Sequence, residues 1–161
     1  FAAIPVQQNG NTYTWSITIQ GVTYTLTAVK QNDGSFIWTV VLNGTEGSVT
    51  FNNFKACEGT SSADGKSGTW ITYDYGVASK ASEFIYSTNA NNVVTGTTYL
   101  YENDGTLMSK TILVNNPDGS GSLEIYNDGV NLNYKSVWAA NGSGTWYTYP
   151  NGVETVGGTW V

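Results

Sequence analysis

Residues 12–28 read TYTWSITIQGVTYTLTA, and this stretch decides the fold. From Thr12 to Ile19, aromatic or aliphatic residues alternate strictly with Thr or Ser, which is the period-two pattern of a half-buried strand. Gln20-Gly21 supplies a two-residue turn, after which the same alternation continues from Val22 to Ala28. The stretch therefore predicts a β-hairpin near the start of the chain.

Turn signals of the same kind punctuate the rest of the chain. Asn-Gly and Asp-Gly pairs recur between segments of strand composition, because these pairs accept the positive φ of tight turns. The further predicted strands cover residues 36–42, 47–54, 67–74, 80–87, 94–102, 107–114, 120–127, 132–138, 143–149 and 153–160. We predict an all-β fold, an antiparallel meander of about 10–12 strands that forms a bent sheet or a barrel-like closure.

The length of 161 residues fits one domain with its own hydrophobic core. We therefore predict a single all-β domain over residues 1–161, with an N-terminal arm at residues 1–8. Residues 55–66 (KACEGTSSADGK) are rich in Gly, Ser and Asp and are expected to form the longest loop. Because the chain opens on Phe1, we expect that processing removed any targeting signal.

A repeat occupies the C-terminal half, residues 67–161. SGTWITYDYG at residues 67–76 matches SGTWYTYPNG at residues 143–152 in every invariant position of SGTWxTYxxG. Looser copies begin at Gly96 (GTTYLYENDG) and Gly121 (GSLEIYNDG), and a shortened GTW stands at residues 158–160. The copies are spaced by about two strands, so each repeat is predicted to be one β-hairpin.

This Gly-aromatic pattern resembles the MORN and MORN-like (YwqK-type) repeats over about residues 67–161. The resemblance implies β-hairpin units stacked into an extended antiparallel sheet, an architecture that serves scaffolding, binding and toxin-neutralising roles. Thr98 and Leu123 stand where two copies of the pattern would carry Trp. In general character the chain also resembles secreted bacterial β-rich lipoproteins of unknown function.

Alternation along the repeat assigns its side chains to two faces. Trp70 and Trp146 fall on an uncharged face, which we predict to be the core, whereas the tyrosines fall on the other face with Glu124. We interpret this tyrosine-rich face as a surface that stacks on sugar rings or seats another protein. Alternatively, the tyrosines only protect an exposed sheet by cross-strand pairing. The predicted ligand-binding residues are Tyr73, Tyr99, Tyr101, Tyr126, Tyr147 and Tyr149.

Composition excludes several functional classes. Twelve carboxylates stand against six lysines, with no Arg and no His, for a net charge of −6, so no basic patch exists for nucleic acid. Without His there is neither Ser-His-Asp nor Cys-His catalysis and no His-based zinc site. The one cysteine, Cys57, forms no intramolecular disulfide; we expect a half-buried thiol, with an intermolecular bridge as the alternative.

Paired carboxylates are the only catalytic groups that this composition leaves open, and the positions of the aspartates indicate structural roles instead. Five aspartates sit in Gly-containing turns, where Asp is favoured for its backbone geometry: Asp33, Asp64, Asp104, Asp118 and Asp128. These turns also lack the ligand spacing of a calcium loop. We therefore predict no enzyme activity, no catalytic residue, no metal site and no cofactor.

Together these features favour a non-catalytic extracellular binding or adhesion module, with carbohydrate as the first ligand class and protein as the second. One alternative is a structural subunit of a surface layer or filament that self-associates through its termini, including the apolar arm 1–6, and its sheet edges. Another is a lipocalin-like barrel that carries a small apolar ligand. Low charge and the lack of a run of about 20 apolar residues predict an extracytoplasmic protein, secreted or anchored at the cell surface, without a transmembrane segment.

Overall fold

A computed structural model describes residues 5–161, with Val156 described by its backbone alone. Within these residues, thirteen strands follow one another in sequence order and alternate in direction, which confirms the all-β antiparallel meander and exceeds the expected strand number by one. The strands are β1 Gln7–Asn9, β2 Thr12–Ile19, β3 Val22–Lys30, β4 Phe36–Glu46, β5 Val49–Ser61, β6 Ser67–Tyr73, β7 Lys80–Thr88, β8 Val94–Tyr101, β9 Leu107–Asn115, β10 Gly121–Asn127, β11 Asn131–Trp138, β12 Gly144–Thr148 and β13 Thr155–Trp160. A 3₁₀ turn at Pro150–Gly152 precedes β13. No helix in this part of the chain has the length and apolar character needed to cross a membrane.

Contacts divide the chain into two units, which we describe separately. Unit 1 runs to Lys80 and holds β1–β6, and unit 2 begins at Ala81 and holds almost all of β7 with β8–β13. Within each unit the strand order is linear, and no pairing among the described residues joins the first strand to the last. Each unit is thus an open sheet. The expectation of one domain over residues 1–161 stays a prediction.

The turns explain why the strand limits follow the sequence so well. The Asp33 carboxylate accepts hydrogen bonds from the Ser35 backbone N–H at 3.0 Å and from the Ser35 hydroxyl at 2.6 Å, and Asp118 bonds Ser120 in the same way. The bonds from the two serine hydroxyls are the main reason that the pKa of both carboxyls lies below its usual value. The structural role predicted for the turn aspartates is confirmed.

Two predicted segment boundaries were wrong. Residues 55–61 are strand and not loop, because β5 continues to Ser61 and leaves residues 62–66 as the turn. Register shifts against β4 put extra residues into β5, and such bulges break the alternation by which a strand is recognised. In the predicted arm, Gln7 and Gln8 belong to β1 and pair with β2, whereas residues 1–4 lie outside the described residues.

The predicted tryptophan core was also wrong. Trp70 and Trp146 are only half-buried, and the buried hydrophobic residues of the described chain are Val22, Ala28 and Leu42. Within each unit the strands contact mainly their immediate neighbours in chain order, so a side chain is covered by its neighbours on the same face and not by a second layer. The sequence pattern separates the two faces correctly but carries no information about such a layer.

Candidate functional site

The register of unit 1 sets large and small residues alternately in one row across β2–β6. The row runs Tyr13, Ala28, Trp38, Gly59 and Trp70. Ala28 is 1% exposed, and a Cβ added at Gly59 would lie 2.8 Å from the Trp70 ring. The large rings therefore lie over the backbone of the small residues between them, an arrangement that needs a very small residue on the intervening strand.

Five rings on this face make one contiguous surface, which we call the aromatic platform: Tyr13, Trp15, Phe36, Trp38 and Trp70. Neighbouring ring centroids lie 5.7–6.5 Å apart, with Trp15–Trp38 at 6.4 Å and Trp38–Trp70 at 5.8 Å. Such separations are within the range of favourable aromatic pairs, worth about 0.5–1.5 kcal/mol each. All five side chains are half-buried, so they stay accessible to water.

The surroundings of the aromatic platform are apolar and nearly free of charge. A depression of about 260 Å³ beside Trp15 is lined mostly by apolar side chains, including Ile17, which is 41% exposed. The register places two charged side chains on this face of β2–β6, Lys30 and Glu46, and they stand at opposite ends of the strands. The platform itself carries no charge.

The same ring-over-glycine device recurs in unit 2. The register sets Gly121, Trp138, Gly144 and Trp160 in one row, and a Cβ at Gly144 would lie 2.2 Å from the Trp160 ring. The indole N–H groups are also satisfied alike, since that of Trp138 donates to the Gly119 carbonyl at 3.0 Å and that of Trp160 to the Gly142 carbonyl at 2.6 Å. These indoles are fixed by their turns.

The predicted ligand-binding tyrosines are partly brought together. Tyr99, Tyr101, Tyr126 and Tyr147 share one face of unit 2. Tyr149 lies just beyond β12, and Tyr73 belongs to unit 1. Charged side chains interleave with the unit 2 tyrosines, as where the Lys110 ammonium lies 4.1 Å from the Tyr126 ring centroid and Lys135 bonds Glu124 at 3.1 Å.

Four of the six tyrosine hydroxyls already donate to a glutamate. The pairs are Tyr73–Glu58, Tyr101–Glu83, Tyr126–Glu124 and Tyr149–Glu154. The bond to Glu154 raises the pKa of Tyr149 to about 12, and the bond to Glu124 raises the pKa of Tyr126. Conversely, the pKa of Glu58 is lowered by its bonds to Lys55 first and Tyr73 second. The raised pKa of the Tyr73, Tyr126 and Tyr149 phenols and the lowered pKa of the Glu58 and Glu124 carboxyls suit structural pairing better than proton transfer.

Sequence reasoning missed Tyr13, Trp15, Phe36 and Trp38 as members of a surface. What distinguishes these residues is a very small residue on the intervening strand, Ala28 or Gly59. That pairing can be recognised only once the register between the strands is known. Cys57 is half-buried as expected, and burial raises the pKa of its thiol.

The chemistry open to these surfaces is binding by aromatic stacking and by peripheral hydroxyls. Across residues 5–161, no group of three or more Cys, Asp and Glu side chains is placed to hold a metal ion. No protein-family model matches the chain, and comparison with the curated proteins finds no match.

Proposed function

We propose that this protein is a non-catalytic binding module that stacks the sugar rings of a carbohydrate on its aromatic platform. The observation that carries the proposal is the contiguous, uncharged and water-accessible layer of five rings in unit 1. One face of a pyranose ring is largely C–H, so it packs against the electron-rich face of an indole while its hydroxyls stay in water. Large water-accessible aromatic surfaces of this kind mark binding sites.

The aromatic platform is a better candidate than the predicted tyrosine face. Tyrosines also stack on sugars, but the hydroxyls of Tyr73, Tyr101, Tyr126 and Tyr149 are held by glutamates of their own unit. A ligand at that face would compete with those bonds. Pairing of this kind supports the alternative in which the tyrosines stabilise an exposed sheet.

A secreted or cell-surface location fits this role, since polysaccharides are abundant outside cells. The low proportion of charged residues, 11%, and the lack of any predicted transmembrane segment agree with that location. A secreted or cell-surface location and a role in adhesion are therefore part of the same proposal.

Retention on insoluble polysaccharides tests the proposal. Trp15→Ala and Trp38→Ala should each weaken binding about thirtyfold, because truncation of a central aromatic anchor typically costs ~2 kcal/mol. Trp160→Ala is the matched control, since it removes an indole that also lies over a glycine but belongs to unit 2. Circular dichroism establishes that each variant is folded. Equal retention of the wild type and both platform variants would end the proposal, as would failure of the wild type to bind any glycan.

A structural subunit that self-associates is the second candidate. The observation in its favour is that, among residues 5–161, the outermost strands β1 and β13 pair on one side only, so each leaves a row of backbone groups for another strand. Sedimentation across a range of concentrations tests it, and a monomer throughout would exclude it. The lipocalin-like alternative gains no support from the open strand order of either unit.

A further inference from the structure

We infer that the ligand of the aromatic platform is a neutral, extended polysaccharide that lies across strands β2–β6 and is gripped along its length and not at its end. This inference rests on the proposed function and narrows it to one class of carbohydrate. Three properties of the platform support it: its charge, its direction and the shape of its surroundings.

The charge distribution favours a neutral ligand. None of the five platform residues is Asp, Glu, Lys or Arg, and the cation on this face of β2–β6, Lys30, stands at the end of its strand, where it pairs with Phe36 at the edge of the platform. Glu46 lies at the opposite end, and the whole chain carries a net charge of −6 with no Arg. A polyanion with uronic acid or sulfate groups along its length would meet one cation, Lys30 beside Phe36, and would be repelled by the net charge of the chain.

The direction of the platform favours an extended chain. The rings of Tyr13, Trp38 and Trp70 lie in one row that crosses the strands, and four strand spacings separate the first from the last. At about 4.8 Å per strand, the backbone positions of that row span roughly 19 Å. The ring contacts, 6.3 Å from Tyr13 to Phe36, 5.7 Å from Phe36 to Trp38 and 5.8 Å from Trp38 to Trp70, limit the distance between the Tyr13 and Trp70 centroids to at most about 18 Å. A pyranose in an extended β-linked chain advances by about one strand spacing, so several successive sugars reach the row at once. A single sugar reaches only one or two rings.

The surroundings favour contact along the chain. Recognition of a chain end requires a concave site with several convergent polar groups. The depression beside Trp15 instead offers Ile17, Leu26 and Val40, with Ser16 and Tyr24 as its polar contributors. Affinity must then come from the number of stacked rings, which makes it depend on ligand length.

Titration of the full chain with soluble ligands tests the inference. The probes are a di-, tetra- and hexasaccharide series of β-1,4-linked glucose, a neutral β-glucan, and polygalacturonate as the acidic comparison. We expect affinity to rise about tenfold or more from the disaccharide to the hexasaccharide, and polygalacturonate not to bind. Trp70→Ala, which shortens the row at one end, should reduce hexasaccharide affinity to about that of the tetrasaccharide and should lower disaccharide affinity by a smaller factor. Trp160→Ala should bind as the wild type does.

Two outcomes are distinguishable. Equal affinity for all three oligosaccharides, or tighter binding of polygalacturonate than of the neutral glucan, would overturn this inference while leaving carbohydrate binding in place. Absence of binding to every glycan would overturn both the inference and the proposed function.

Discussion

The indole of Trp70 covers Gly59, its directly paired residue on the neighbouring strand, so closely that a Cβ at Gly59 would lie 2.8 Å from the ring and 2.6 Å from the Thr69 carbonyl oxygen. Trp138 covers Gly121 in the same way in unit 2. A glycine within a strand ordinarily weakens it, but here its missing side chain is the space that the ring occupies. Glycine and indole thus function as one element of the sheet surface.

Gly59→Ala should lower the free energy of unfolding by about 1–3 kcal/mol, because the added methyl overpacks against both a ring and a backbone oxygen. Gly96→Ala is the control, since its nearest contact is an atom of the Phe84 side chain at 3.1 Å, which can move. Urea denaturation measures both changes. A loss at Gly59 no greater than that at Gly96 would contradict the close fit of Trp70.

Asn53 tests the bulged part of β5. Its φ of 50° lies in the left-handed region, and its backbone N–H donates to the Asn43 side-chain oxygen at 2.8 Å. Asn53→Ala should destabilise the protein by about 1 kcal/mol, whereas Asn53→Gly should stay within about 0.5 kcal/mol of the wild type. Thermal unfolding of both variants is the measurement. Equal effects of Ala and Gly would show that backbone conformation is not what Asn53 contributes.

Alkaline titration tests the tyrosine–glutamate pairs. Tyr149 has its pKa raised to about 12 by its hydrogen bond to Glu154, so its neutral form is favoured in the folded state. The stability that this bond contributes is present below the ordinary tyrosine pKa of about 10 and is lost as pH rises through the folded value. Glu154→Gln should return the pKa of Tyr149 toward its ordinary range, which tyrosinate absorbance detects by comparison with Tyr149→Phe. An unchanged titration would mean that the pair is not formed.

The strand pattern was predictable because local signals determine it. Thr12 to Ile19 was predicted and found with the same limits, since strict alternation begins and ends there and Gln20-Gly21 turns the chain. The continuation of β5 from residue 55 to Ser61 could not be predicted from the sequence. Asn53 takes a left-handed backbone conformation, and the register against β4 slips on either side of Lys55 and Phe54, so the alternation of faces disappears from the sequence although the pairing continues.

The tyrosine face could be predicted from the sequence, but the aromatic platform could not. Alternation correctly grouped Tyr99, Tyr101, Tyr126 and Tyr147, because the side of a strand is a local property. The aromatic platform required knowing that Ala28 lies between Tyr13 and Trp38, which is a property of register between distant residues. Whether Trp70 is buried depends on whether a second layer covers this face of the sheet, and the alternation pattern does not indicate that.

Because each strand contacts little beyond the strands before and after it, the contacts within each unit join strands that are consecutive in the chain. Low contact order of this kind favours rapid folding, in which each hairpin is added to the one already formed. Pairing of consecutive strands also means that gain or loss of one hairpin would lengthen or shorten a row of rings without repacking the rings that remain.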